Sequence, residues 1–138
     1  CFRVQPGSTK PAYATGTGRA MLAFLPRADV QALVERVVFE KLTPKTVASR
    51  RALLSALAQV RREGLSVSDG GTVAQVMSVA APIFDGTGKV VAAISAGGPT
   101  LRMAPQLADI GRVVRGTAED ISRKLGLRGD VPSPQGLA

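Results

Sequence analysis

Histidine is absent from this chain, and cysteine occurs once, as Cys1. Zinc and copper sites are built from imidazole nitrogen and thiolate sulfur, so a transition-metal centre is close to excluded. A lone cysteine at the first position has no partner within the chain, so there is no disulfide framework and the expected compartment is reducing. Tryptophan is missing, and four phenylalanines and one tyrosine are the only aromatic residues. That leaves little with which to stack nucleic-acid bases. No apolar run approaches the roughly 18 residues that suggest a membrane span. The chain starts with Cys rather than Met and carries no basic-then-apolar leader, so the expectation is a fragment of a cytoplasmic protein with no membrane partner.

What remains is an ordinary globular composition. At 138 residues and 45% hydrophobic content, the chain suffices for one domain that buries about two-thirds of its unfolded surface. Eighteen lysines and arginines against ten acids give a net charge of +8, which taken alone favours an anionic partner. The distribution weakens that inference. Residues 27–62 hold eight basic side chains and three acidic ones, but these are spread over two expected helices and a loop, with only Phe39 interleaved. A solvated basic face is the simpler reading.

The most organised stretch is Val73 to Pro99, two runs of small and β-branched residues joined by Asp85-Gly86-Thr87-Gly88. It reads as a β-hairpin. A loop of two or four residues pairs Phe84 with Lys89 and Ser78 with Ser95. By alternation, Val76, Ala80 and Pro82 share their face with Val91, Ala93 and Gly97. Side chains on that face are small enough to leave space for something else.

Upstream, Pro11 to Pro26 (PAYATGTGRAMLAFLP) is a glycine-bearing loop that runs into a short helix from about Thr17. The free amides of a helix start suit an anion, and glycines equally serve tight packing; the pattern leaves both open. It is not a nucleotide-binding P-loop, because the Gly-Lys-Ser/Thr ending is absent. A helix over Arg27–Val38 would bury Val30, Leu33, Val34 and Val37. Another over Arg50–Glu63 would be capped by Ser49, stopped by Gly64, and bury Leu53, Leu54, Leu57 and Val60. A strand over Leu65–Asp69 leads through Gly70-Gly71 into the hairpin. A long helix over Pro105–Leu125 would bury Leu107, Ile110, Val113 or Val114, Ala118, Ile121 and Leu125. Residues 127–138 read as a fraying tail. The order implies an α+β fold with helices layered on a curved antiparallel sheet.

Enzymatic chemistry finds no support in these residues. Ser78 and Ser95 have no histidine to activate them, and Asp69 is the only acid near the small-residue face, so paired-carboxylate catalysis lacks its second member. A serine on a strand commonly satisfies a backbone group. Two of them beside a glycine-rich helix start describe instead a small pocket with hydroxyl and amide donors, suited to a carboxylate or a phenol.

As a set, PAYATGTGRAMLAFLP, LTPKTV, LLSALAQVRREGLSVSD, SVAAPIFDGTGKVVAAISAGGP and the closing DISRKLG resemble the effector-binding domain of the IclR-type bacterial transcription regulators, over roughly residues 4–126. The resemblance implies a GAF-like domain over residues 1–126 that lacks its first strands. It also implies an N-terminal winged helix-turn-helix outside this chain and a protein that pairs as a dimer or tetramer. DNA would be bound through that missing domain and not through this chain, and no cofactor is implied. A small organic acid would sit between the glycine loop and the sheet, with Gly16 and Thr17 as loop contacts, Gly18 opening the helix, and Ser78 and Ser95 as strand contacts.

Departures from the family pattern are instructive. Gly97 stands where a third hydroxyl is usual, and Ser68-Asp69-Gly70-Gly71 replaces a more acidic stretch. Lys10 takes the place of an apolar wall residue. Fewer acids and a nearby lysine favour an anion, and PAYAT resembles the branch that responds to aromatic acids. A free-standing GAF-like module is the alternative, told apart by the absence of a winged-helix coding segment upstream. A basic nucleic-acid-binding domain is the third, and it predicts steeply salt-dependent DNA binding by this chain alone.

Overall fold

Where capping residues stand at both ends, the elements begin and stop as their chemistry dictates. In the computed structural model, which describes residues 5–132, α3 spans Arg50–Glu63. The Ser49 side chain accepts from Ala52 N–H, and Gly64 takes the left-handed conformation at φ 67°. Before it come α1 (Gly16–Leu22) and α2 (Arg27–Arg36). After it come three strands, β1 (Ser66–Asp69), β2 (Val76–Phe84) and β3 (Val90–Pro99). They form one antiparallel sheet in the order β1-β2-β3. A short α4 (Thr100–Met103) and a 3-10 turn (Ala104–Gln106) then lead into α5 (Leu107–Lys124). Neither α4 nor the turn is signalled by periodicity, and together they delay the last helix to Leu107.

The hairpin register differs from the expectation for a physical reason. Asp85 N–H donates to Lys89 O at 2.9 Å, and Gly88 sits at φ 80°, which makes the loop three residues long with a left-handed glycine. Asp85 Oδ1 accepts from Thr87 Oγ1, Thr87 N–H and Lys89 N–H, and these bonds, led by that from Thr87, hold its carboxyl below the usual range. A bulge between Ile83 and Phe84 then adds a further residue, so Phe84 faces Val90, Ser78 faces Gly97, and Ser95 faces Ala80. The total slip is two places over most of the ladder, so each serine keeps its face. Val91 does not, and is exposed while Val90 packs inward.

The sheet has a helix on each side. Ala81 and Ile83 of β2 pack against Val114 and Ala118 of α5, and Met77 and Val79 continue that layer with Met103. On the opposite face α1 lies against Ser78 and Ala80. A larger cluster joins α1, α2 and α3 to the end of β2, where Phe24 meets Phe84 edge to face with ring centroids 5.2 Å apart. Two expected core positions are turned outward, since Leu54 and Leu125 are exposed; Leu53, Leu57 and Val60 carry the α3 stripe, and of the alternatives Val113 and Val114 it is Val114 that is buried. Leu127, assigned to the tail, is buried in the helical cluster with Val131 packed beside it. Residues 133–138 of that tail and residues 1–4 lie outside the described region.

Gly116 lies within α5 and has no heavy atom within 4 Å of the place a β-carbon would occupy. Gly116→Ala is expected to stabilise the chain by about 0.5–1 kcal/mol through helix propensity alone. A rise of a few degrees in thermal midpoint checks this.

Candidate functional site

Alternation and register place four serines on the face that α1 covers. Ser66, Ala80 and Ser95 lie in one row across the three strands, and Ser68, Ser78 and Gly97 lie in the next. Hydroxyls and small groups are therefore intermixed over this face. Exposure grades along them: Ser66 and Ser68 are buried, Ser78 is half-buried and Ser95 is open. The Ser66 hydroxyl is the one buried side-chain polar atom among the described residues without a hydrogen-bond partner.

Above this face the glycine loop enters α1 at close range. A β-carbon on Gly16 would stand 2.8 Å from Ser78 Oγ and 3.7 Å from Ala80 Cβ, so a side chain here would have to displace the Ser78 hydroxyl, and glycine lets backbone approach strand with that hydroxyl in place. Thr15 caps the helix by accepting from Gly18 N–H at 2.9 Å. The amides of Gly16 and Thr17, ahead of the first intrahelical bond, have no acceptor within the helix.

Between loop and sheet lies a cavity of about 510 Å³, within the size range of small-molecule sites. Gly16, Thr17, Ser68, Ser78, Ser95 and Gly97, six of the residues expected at the site, line it together with Thr15, Thr72, Ala74 and Gln75. Three others fall elsewhere. Gly18 is a packing residue whose amide is taken by Thr15 and whose α-carbon faces the Ala12 backbone. Lys10 is exposed and outside this lining. Asp69 lines an adjoining cavity of about 470 Å³, because alternation along β1 turns it away from Ser68.

Asp69 accepts from Lys45 Nζ at 2.7 Å and from Thr100 Oγ1 at 2.8 Å. These bonds, the lysine's first, hold its carboxyl below the usual aspartate range. Both are stronger to the ionised carboxylate than to the neutral acid. Their contribution to stability is therefore fully present above the ordinary aspartate pKa and is lost as pH falls through the lowered one. Asp69→Asn is expected to be less stable than the parent at neutral pH, with the gap closing below about pH 4. Acid titration of both proteins by circular dichroism checks this; a gap constant down to low pH would contradict it.

Arg19 was not singled out as a site residue. It is 4% exposed, and none of the ion pairs among the described residues involves it. Its guanidinium donates to the carbonyls of Tyr13 at 3.3 Å, Ala14 at 3.4 Å and Val67 at 3.0 Å, and burial pulls its pKa down from the ordinary value. The bonds tie the glycine loop to β1 directly beside two cavity walls. Its position one helical turn before the buried Leu22 and Ala23 was the available signal.

No helix among the described residues is long and apolar enough to cross a membrane, and they contain no cluster of metal-ligating side chains. A sheet with helices on both faces, and a hydroxyl-lined cavity under a glycine loop, define a GAF-like α+β ligand-binding domain. The chain belongs to the IclR family of bacterial transcriptional regulators, of which it is the C-terminal, effector-binding domain: residues 2–123 match the family described as "Bacterial transcriptional regulator IclR C-terminal". It is 36% identical over 126 residues to the uncharacterized HTH-type transcriptional regulator RhmR of Escherichia coli strain K12, covering 90% of this chain and 48% of that protein. The chain thus spans about half the length of the curated relatives it matches. Among solved structures, the C-terminal domain of the E. coli transcriptional regulator KdgR superposes with a TM-score of 0.79 at 32% identity, covering 84% of this chain and 71% of that one. A double mutant of the inducer binding domain of the PobR transcription factor from Acinetobacter, solved in complex with 3-hydroxybenzoic acid, gives 0.77 at 26% identity, with coverages of 88% and 74%.

Proposed function

We propose that this chain is the sensor domain of a transcription factor and that it binds a small organic acid, aromatic in type, in the serine-lined cavity. The observation that carries the reading is the cavity itself, with hydroxyls on its floor, free amides at one wall and small or apolar groups elsewhere. Such a lining offers donors to one carboxylate and a slot for a flat apolar body. The relative solved with 3-hydroxybenzoic acid supports the aromatic class. Gly97 supplies room where another side chain would narrow the slot.

Binding would bias the domain between two arrangements and so alter how paired DNA-binding domains are spaced. DNA is contacted by an N-terminal winged helix-turn-helix outside this chain, in a cytoplasmic dimer or tetramer. No catalysis and no cofactor enter this reading, since the serines have no base to activate them.

Calorimetry with benzoate and 3-hydroxybenzoate against pyruvate tests the ligand class, and tighter binding of pyruvate would sink the aromatic version. With the Ser95 hydroxyl, open in the free chain, buried against the bound acid, Ser95→Val is expected to weaken the preferred acid by about 1–3 kcal/mol, the cost of leaving a buried ligand oxygen without its donor. Unchanged affinity would make Ser95 a packing residue of β3.

A further inference from the structure

The second cavity has a chemistry of its own. It adjoins the serine-lined one across a shared wall of Ala74, Gln75 and Pro99 at the end of the sheet. The wall is held in place by Thr100 N–H, which donates to Gln75 O at 2.9 Å. Gln75 itself stands at φ 62°, the only non-glycine residue with positive φ among the described residues. Strain of that kind persists only where surrounding contacts impose it.

Polar groups in this cavity are arranged differently from those in its neighbour. The charge of Lys45 is offset by Asp69 at 2.7 Å, so a second anion would gain little. Asp69 accepts one bond on each oxygen, from Lys45 and from Thr100, and an ionised carboxylate has lone pairs for more. Lys45 keeps donors too, since only one of its three N–H groups is engaged, so acceptor and donor stand side by side and suit a neutral hydroxyl, which can donate to Asp69 and accept from Lys45. Around the pair stand Pro44, Pro99 and Leu101, all exposed, with Leu101 91% accessible. Apolar walls around such a pair suit an apolar body with one neutral hydroxyl.

We propose that this chamber is a second ligand site, taking a neutral phenol-type compound whose hydroxyl donates to Asp69 and whose ring lies against Pro44, Pro99 and Leu101. It is separate from the organic-acid site and does not depend on the assignment of that site.

Phenol itself is the probe, titrated calorimetrically into the parent chain, Leu101→Asp and Gly97→Leu, with light scattering on each. Leu101 is too exposed for folding to depend on it, and Gly97→Leu obstructs only the serine-lined cavity. Saturable binding is expected in the parent and in Gly97→Leu, weakened about tenfold or more in Leu101→Asp, with the molecular mass unchanged throughout. Loss of phenol binding in Gly97→Leu with retention in Leu101→Asp would place phenol in the first cavity and overturn the proposal. So would an absence of saturation, or a fall in molecular mass for Leu101→Asp, which would make this face a contact between copies of the chain.

Discussion

Alanine at position 18 is expected to destabilise the chain by about 3 kcal/mol, at the upper end of what overpacking costs. A β-carbon there would lie 2.1 Å from Ala12 O, 2.6 Å from Ala12 Cα and 2.7 Å from Ala12 C. All three atoms are backbone, so no side chain can rotate out of the way. What must move is the turn closed by Ala14 N–H on Pro11 O. That turn is not free to move. Ala14 is fully buried, and the Tyr13 hydroxyl accepts from Glu40 N–H at 2.7 Å while its ring stacks at a tilt on Phe39. Shifting the turn would pull the Tyr13 and Ala14 carbonyls away from Arg19 as well. Urea unfolding measures the effect as a lowered midpoint at constant slope. Gly16→Ala is the informative contrast, because its nearest obstacle is the tip of Ser78, a side chain that can change rotamer. Equal midpoints for the parent and Gly18→Ala would mean that the loop is looser than its packing indicates.

Local chemistry explains which parts of this structure can be read from residues alone. Helix α3 runs from Arg50 to Glu63 as expected because Ser49 and Gly64 mark its ends within the chain itself. The hairpin register could not be read in the same way. Asp-Gly-Thr-Gly is compatible with loops of two, three or four residues, and the choice rests on Gly88 adopting positive φ under an Asp85 side chain that gathers three bonds. The bulge at Ile83 and Phe84 has no local signal at all. Membership of a face survived both errors, since together they displace most of the ladder by two places and the side-chain period is two. That is why Ser78, Ser95 and Gly97 still line one cavity. Thr72, Ala74 and Gln75 were missed because their loop is shaped from a distance, by the Thr43 and Thr46 hydroxyls donating to the Gly70 and Gly71 carbonyls. The four-serine face also needed the tertiary pairing of β1 with β2, which brings Ser66 beside Ala80 and Ser68 beside Ser78, residues ten or more positions away.

Arg19→Ala is expected to cost about 2–4 kcal/mol, and its size tests what a buried guanidinium without a carboxylate contributes. Two effects oppose each other. Removing the side chain restores the hydration that burial denies it, and buried charges can be replaced by apolar groups at little cost. It also takes away bonds from a charged donor to three carbonyls, each worth about 1.5–3 kcal/mol net in good geometry and less for the two that are 3.3 and 3.4 Å long, and opens a void beside β1. Geometry favours the second effect. The acceptors belong to two separate segments, the glycine loop at Tyr13 and Ala14 and the strand at Val67, so a single planar group holds both in register. Arg19→Lys should recover only part of the loss, because an ammonium cannot fork between the two. Arg19→Met keeps the apolar stem without the donors and isolates the bonds from the void. A methionine variant as stable as the parent would show that desolvation cancels the hydrogen bonds. Thr15 adjoins Ala14 and Ser68 adjoins Val67, so the same bonds set the width of the cavity between loop and strand. Hydrogen exchange over residues 12–17 and 66–69 should therefore accelerate in Arg19→Met more than in α3, and acid binding should weaken by more than the fraction unfolded can explain.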